Sequence, residues 1–148
     1  MLNIVNRTSY SIRVNIFKDE CFKMLNCLQK KYHKKAGRIN IALLTRRAMK
    51  VLHKKFLQQD KVTDVLSFPE NSNNIIEGDI AVCPAYIRQT AVRENSDSAV
   101  YFAEAVLHGM LHLFGVDHDY TAASLKAVYK LQAALLKQAN IKRSIFDV

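Results

Sequence analysis

Three of the chain's five histidines fall within eleven residues, in the run His108-Gly109-Met110-Leu111-His112-Leu113-Phe114-Gly115-Val116-Asp117-His118. His108 and His112 are four residues apart, so on a helix they share one face. Gly115 can take the left-handed conformation that ends a helix and turns the chain. That turn brings His118 back beside the other two. Three neutral imidazoles converging from a helix and its following turn suit Zn²⁺, which takes three protein ligands in a catalytic site and keeps a fourth position for chemistry. One Zn²⁺ per chain is therefore expected on His108, His112 and His118.

The spacing matches the metzincin metalloprotease signature with one omission. In those proteases a glutamate follows the first histidine and serves as general base. Here that position is Gly109, which cannot take a proton. The metal reading stands, and the protease reading is weakened.

The elements that must carry these residues follow from the apolar pattern. Residues 2–7 alternate as a strand, with Leu2 and Ile4 inward. Residues 10–17 alternate through Ile12, Val14 and Ile16 and lead toward a helix. That helix is expected from about Asp19, as its cap, to Tyr32, with Gly37 closing it. A second strand spans Arg38 to Leu44. Thr45 caps a helix to about Phe56, with Ala48, Met49, Leu52 and Phe56 inward. Val62 to Pro69 reads as a strand, residues 70–74 as a turn-rich loop and Gly78 to Cys83 as a further strand. Pro84 fits the first position of a helix to about Glu94. Asp97 or Ser98 caps the histidine helix, and Asp119 or Thr121 starts a last one to about Ala139. No repeat or internal boundary interrupts residues 1–148, so one α+β domain is expected, a mixed sheet of about four strands packed with about five helices.

Composition narrows the partner. The chain has 148 residues and a net charge of +9, from 22 Lys and Arg against 13 Asp and Glu. A basic balance on a small domain favours a polyanion. The charge gathers in the first half, in Lys30–Arg38 and again in Arg46, Arg47, Lys50, Lys54, Lys55 and Lys61. No stretch reaches the ~18 apolar residues of a membrane span. Cys21, Cys27 and Cys83 are odd in number and form no CxxC pair, which fits buried thiols in a reducing cytoplasm. The first residues lack the pattern of a secretory signal.

Three stretches together, Thr63-Asp64-Val65-Leu66-Ser67-Phe68-Pro69, Gly78-Asp79-Ile80 and the histidine run, stand in the order seen in the YbeY family, which the whole chain resembles. Those proteins are bacterial zinc-dependent endoribonucleases. The resemblance implies that His108, His112 and His118 are zinc ligands. It also implies that the substrate is single-stranded RNA, with a role in 16S ribosomal RNA 3′-end maturation and ribosome quality control. Ribosomal RNA and the small ribosomal subunit would be the partners, in the cytoplasm, with no membrane or DNA involved. Where the family carries an arginine before the Thr-Asp pair, this chain has Leu57, and where it carries a proline it has Val62.

Further residues are candidates beside the ligands. Asp117 is placed to hydrogen-bond a ligand imidazole, and Asp64 to line the cleft; both are candidate catalytic groups. Ser67 is likewise a candidate to line the cleft. Glu104, one turn before His108, is expected to be solvated, Asp79 to sit at a turn or edge, and His33 and His53 to be exposed. Arg46, Arg47, Lys54, Lys55 and Lys61 are candidate RNA contacts. Two other readings remain: a zinc metalloprotease or other metal-dependent hydrolase, and a non-enzymatic ribosome-assembly factor with a structural zinc site.

Overall fold

Period-two alternation in four stretches builds the sheet, and helical spacing covers its faces. The computed structural model describes residues 1–70, 74–119 and 121–141. In chain order the elements are β1 (Leu2–Asn6), α1 (Val14–Tyr32), β2 (Lys35–Leu43), α2 (Arg46–Leu57), β3 (Val65–Pro69), β4 (Ile75–Val82), α3 (Pro84–Arg93), α4 (Ser98–Leu113) and α5 (Ala122–Gln138). The strand order is β1-β2-β4-β3. β1, β2 and β4 run parallel, and β3 returns antiparallel along the edge of β4. This is the expected α+β architecture. The loop expected at 70–74 falls, over 71–73, outside the described residues.

One sheet face carries Leu2, Ile39, Ile41, Leu43, Ile76, Ile80 and Val82, and α1 and α4 pack on it through Phe17, Met24, Leu28, Phe102, Val106 and Met110. α2 covers a corner of the other face, where Met49 meets Leu66 and Ala81. That face also carries polar residues. Asn3 donates to Asn40, and Asn40 donates to Asp79 at 2.8 Å. Asp79 is thus on an interior strand, not at the expected turn or edge.

Three caps form as the sequence suggests. Thr45 accepts from the Ala48 amide, Asp97 from Ala99 and Thr121 from Ser124. α1 departs from expectation at both ends. It starts at Val14 without a side-chain cap, so Asp19 lies inside it. Its first turn is held instead by Phe17, fully buried against Phe102 with ring centroids 5.2 Å apart. It ends because His33 takes the left-handed conformation (φ 52), and Gly37 belongs to β2. In α2 the buried residues are Met49 and His53; His53, expected to be exposed, is only 5 % exposed, and its Nδ1 lies 2.9 Å from the Lys61 carbonyl. Phe56, expected inward, is 54 % exposed and packs edge-on against Phe68, and Ala48 is exposed as well.

α4 is apolar almost all round because it is wedged between the sheet, α1, α3 and α5. It lies tight against the sheet at Gly109. A Cβ there would stand 2.9 Å from Ile80 Cγ2 and 3.0 Å from Val65 Cγ2. The Ser67 hydroxyl donates to the Gly109 carbonyl at 2.9 Å and ties the edge strand to the helix. Ser67 is therefore spent on this contact rather than offered to the cleft. We expect Gly109→Ala to destabilise the fold. Helix propensity would gain about 1 kcal/mol, but overpacking of this contact costs about 1–3 kcal/mol. Urea denaturation of the variant should show a lower midpoint with an unchanged slope.

Candidate metal centre

From Tyr101 onward, the side chains of α4 that escape full burial are Tyr101, Glu104, His108 and His112. They are spaced three, four and four apart and form one stripe along the helix. α4 then stops as the sequence suggests. Gly115 adopts φ 83, its amide reaches the His112 carbonyl, and the Val116 amide reaches Leu111. The reversal of direction returns His118 to the stripe.

The three imidazoles meet through the same atom. His108 Nε2 lies 2.9 Å from His112 Nε2 and 3.1 Å from His118 Nε2. Each opposite nitrogen is engaged. His108 Nδ1 is 2.5 Å from Gln132 Oε1, His112 Nδ1 is 3.1 Å from Asp117 Oδ1, and His118 Nδ1 is 3.0 Å from the Asp119 carbonyl. An Nδ1–H donated to an acceptor leaves a lone pair on Nε2. Three lone pairs then point into one space, an arrangement that repels unless a cation sits among them. The ligand atoms lie within 4.8 Å of one another, so the cluster can hold a metal ion. Neutral imidazoles with outer hydrogen bonds fit Zn²⁺ in number and type.

The electrostatics agree. Burial pushes His108 below the usual imidazole range, and its two histidine neighbours push the same way against the Gln132 hydrogen bond and Asp64. A group that resists protonation stays available to a metal. Glu104 is half-buried rather than solvated, and that burial raises its carboxyl above the ordinary range. Among the described residues nothing pairs with its carboxylate. Burial also raises the Tyr101 phenol, with Asp64 adding to the effect.

The other candidate residues scatter. Asp117 meets His112, as expected. Asp64 stands near His108, but its Oδ1 accepts from the Val65 amide and the Thr63 hydroxyl, which shapes the start of β3. Arg46 donates to the Ala85 carbonyl and Gln89, joining α2 to α3. Lys54 approaches Asp60 at 3.9 Å. Lys55 lies over the Phe56 ring, and Lys61 is exposed in the loop before β3. Arg47 and Lys55 line a shallow groove of about 510 Å³ along α2, and Arg46 and Arg47 line another of about 340 Å³ with Thr8 and Tyr10. Neither groove includes the histidines. His33 is exposed, as expected. Sequence spacing missed Gln132, which sits 24 residues beyond His108 in an otherwise apolar stripe of α5. A polar residue at an inward helical position was the available signal.

Position 109 also bears on the protease reading. A Cβ there would crowd Ile80, Val65 and Ser67, so the contact leaves little room for a side chain.

A family model described as endoribonuclease YbeY matches residues 3–140. The chain belongs to the YbeY family. An endoribonuclease YbeY from Thermotoga maritima is 32 % identical over 100 residues, covering 68 % of this chain and 66 % of the relative. One from Francisella tularensis subsp. novicida is 26 % identical over 148 residues, covering 95 % and 89 %. The solution structure of TM1509 from Thermotoga maritima superposes with a TM-score of 0.66 at 26 % identity, covering 94 % of this chain and 89 % of that one. The YbeY fold therefore extends over nearly the whole of this chain, with the histidine stripe near its C-terminal end. No helix among the described residues is long and apolar enough to cross a membrane.

We expect the purified protein to bind one equivalent of Zn²⁺ and His112→Ala to lose that binding. At zinc 100-fold above its dissociation constant, thermal unfolding should reflect about 2.7 kcal/mol of added stability, removable by chelator. Metal analysis and melting curves with and without EDTA check both.

Proposed function

We propose that this protein is a zinc-dependent endoribonuclease that cuts single-stranded RNA in the cytoplasm. Its substrate is ribosomal RNA at the 3′ end of the small-subunit species, and its setting is the maturation and quality control of the small ribosomal subunit. The observation that carries the reading is the convergence of the three Nε2 atoms on one point in a chain of the YbeY family.

His108, His112 and His118 would hold the metal. Zinc supplies Lewis acidity toward a phosphoryl oxygen and the activation of water at neutral pH. The chain's own residues do the rest. Asp117 holds the His112 ring through Nδ1. Glu104 lies one helical turn before His108 on the same stripe of α4, with its carboxylate unpaired among the described residues, and would take a proton from the attacking hydroxyl or pass one to the leaving oxygen. Asp64 keeps β3 in place beside His108 and adds negative potential there. Lys61, Lys54 and Lys55 lie on or after the C-terminal end of α2 and offer the RNA backbone cationic contacts, and Arg46 and Arg47 extend that surface at its start. A non-enzymatic assembly factor would share the ribosome contact but not the cutting.

Cleavage of a fluorescent single-stranded RNA by zinc-loaded protein tests the reading. We expect cutting that EDTA stops and zinc restores. A metal-loaded protein that binds ribosomes in a salt-sensitive way yet leaves RNA intact would favour the assembly factor. Glu104→Gln should keep its zinc and lose about 10²–10⁴-fold in rate, the range typical of a positioned proton carrier. Leu57, at the position of the family's arginine, is 52 % exposed at the end of α2. Leu57→Arg should raise the single-turnover rate by supplying a charge-assisted donor; an unchanged rate would mean that a neighbouring lysine already fills the role.

A further inference from the structure

The partners of the three histidines are not chemically alike. Asp117 offers His112 a carboxylate, and Asp119 offers His118 a backbone carbonyl. At neutral pH both can only accept a hydrogen bond. They fix Nδ1–H on those two rings and a lone pair on each Nε2. His108 alone faces a group that can either accept or donate, the side-chain amide of Gln132. Gln132 is 4 % exposed, within a helix face otherwise buried through Val128 and Leu135. Burying an amide costs free energy unless it is hydrogen-bonded, so a leucine would pack here with less penalty. The amide must serve the ring it touches.

We infer that Gln132 is a two-state positioning residue that matches the tautomer of His108 to the presence or absence of the metal. With metal held, the amide oxygen takes the Nδ1–H of His108, and its Nε2 lone pair joins those of His112 and His118. Without metal, three facing lone pairs repel one another. Moving the His108 proton to Nε2 then lets that ring donate to a neighbouring Nε2, at the observed 2.9 or 3.1 Å. Nδ1 becomes an acceptor, and half a turn of the Gln132 amide brings its NH₂ to meet it. The His108–Gln132 hydrogen bond is kept in both states, with no charge created in the apolar contact between α4 and α5. A carboxylate at 132 serves only the first state, and an apolar residue serves neither. The amide also keeps the full positive charge of the centre for an anionic ligand. This inference rests on the zinc reading above, but not on RNA being the substrate.

Long-range ¹H–¹⁵N spectra of the imidazoles, recorded at pH 7.5 with and without Zn²⁺, read the tautomers directly. The wild type should show Nδ1–H on all three rings with zinc, and His108 alone should switch to Nε2–H without it. Gln132→Glu should hold His108 as Nδ1–H in both states, bind zinc at least as tightly, and melt lower than wild type only when zinc is absent. Its zinc form should bind inorganic phosphate more weakly than wild type. Gln132→Leu should lose about 10–100-fold in zinc affinity, measured by competition with a chromophoric chelator. An unchanged His108 tautomer in the wild type, or wild-type zinc affinity in Gln132→Leu, would overturn the inference and leave the metal centre standing. Failure of the wild type to take up zinc at all would overturn both.

Discussion

The fold depends on how closely α4 lies against the β3–β4 edge of the sheet. At Gly109 the helix backbone meets Ile80 and Val65 with no side chain between them, and the Ser67 hydroxyl closes the contact. That approach sinks α4 until only one stripe of its surface remains partly open, and the stripe holds His108 and His112. Everything at the centre follows from this depth. The rings stand on a helix held on several sides, so their Cα positions are set by core packing rather than by the ligands themselves. The glycine that permits the contact is also the residue that separates this motif from the protease one. Its absent side chain has a packing cause.

Much of this was legible in the sequence, for identifiable reasons. The i, i+4 histidines and Gly115 are local signals, and local geometry decides what they do. Thr45, Asp97 and Thr121 cap their helices because each side chain needs only an amide two or three residues on. The misses were decided at longer range. α1 starts early because Phe17 finds Phe102, 85 residues away, and it stops at His33 because a histidine took a conformation usually left to glycine. His53 is buried by a loop carbonyl that helical spacing does not announce. Gln132 looked like a polar interruption in an apolar stripe. Its purpose depends on its neighbour α4, which no pattern within α5 specifies.

The basic charge tells a more divided story than composition suggests. Lys34 donates to the Phe114 carbonyl at the end of α4, Arg38 pairs with Glu70, Arg46 ties α2 to α3, and Lys50 and Lys54 both approach Asp60. These side chains have structural partners and still contribute to the surface potential. Exposed pairs of this kind add little stability, typically under about 1 kcal/mol each. Their long-range field survives pairing only in proportion to the excess of nine positive charges. The charge is thus better understood as a means of gathering a polyanion than of reading one.

The three histidines come from one short run of chain, and that proximity has a consequence for the molecule's history as well as its chemistry. A metal joining residues 108 and 118 would close a loop of only ten residues, one already held shut by the Gly115 turn. The entropy removed from the unfolded chain by such a short link is small, and little of the core hangs on it. A centre built this way is a passenger on its scaffold. The protein could gain, exchange or lose its ion through a few local changes while the sheet and its helices persisted. Selection on the chemistry and selection on the architecture would then act on largely separate sets of residues.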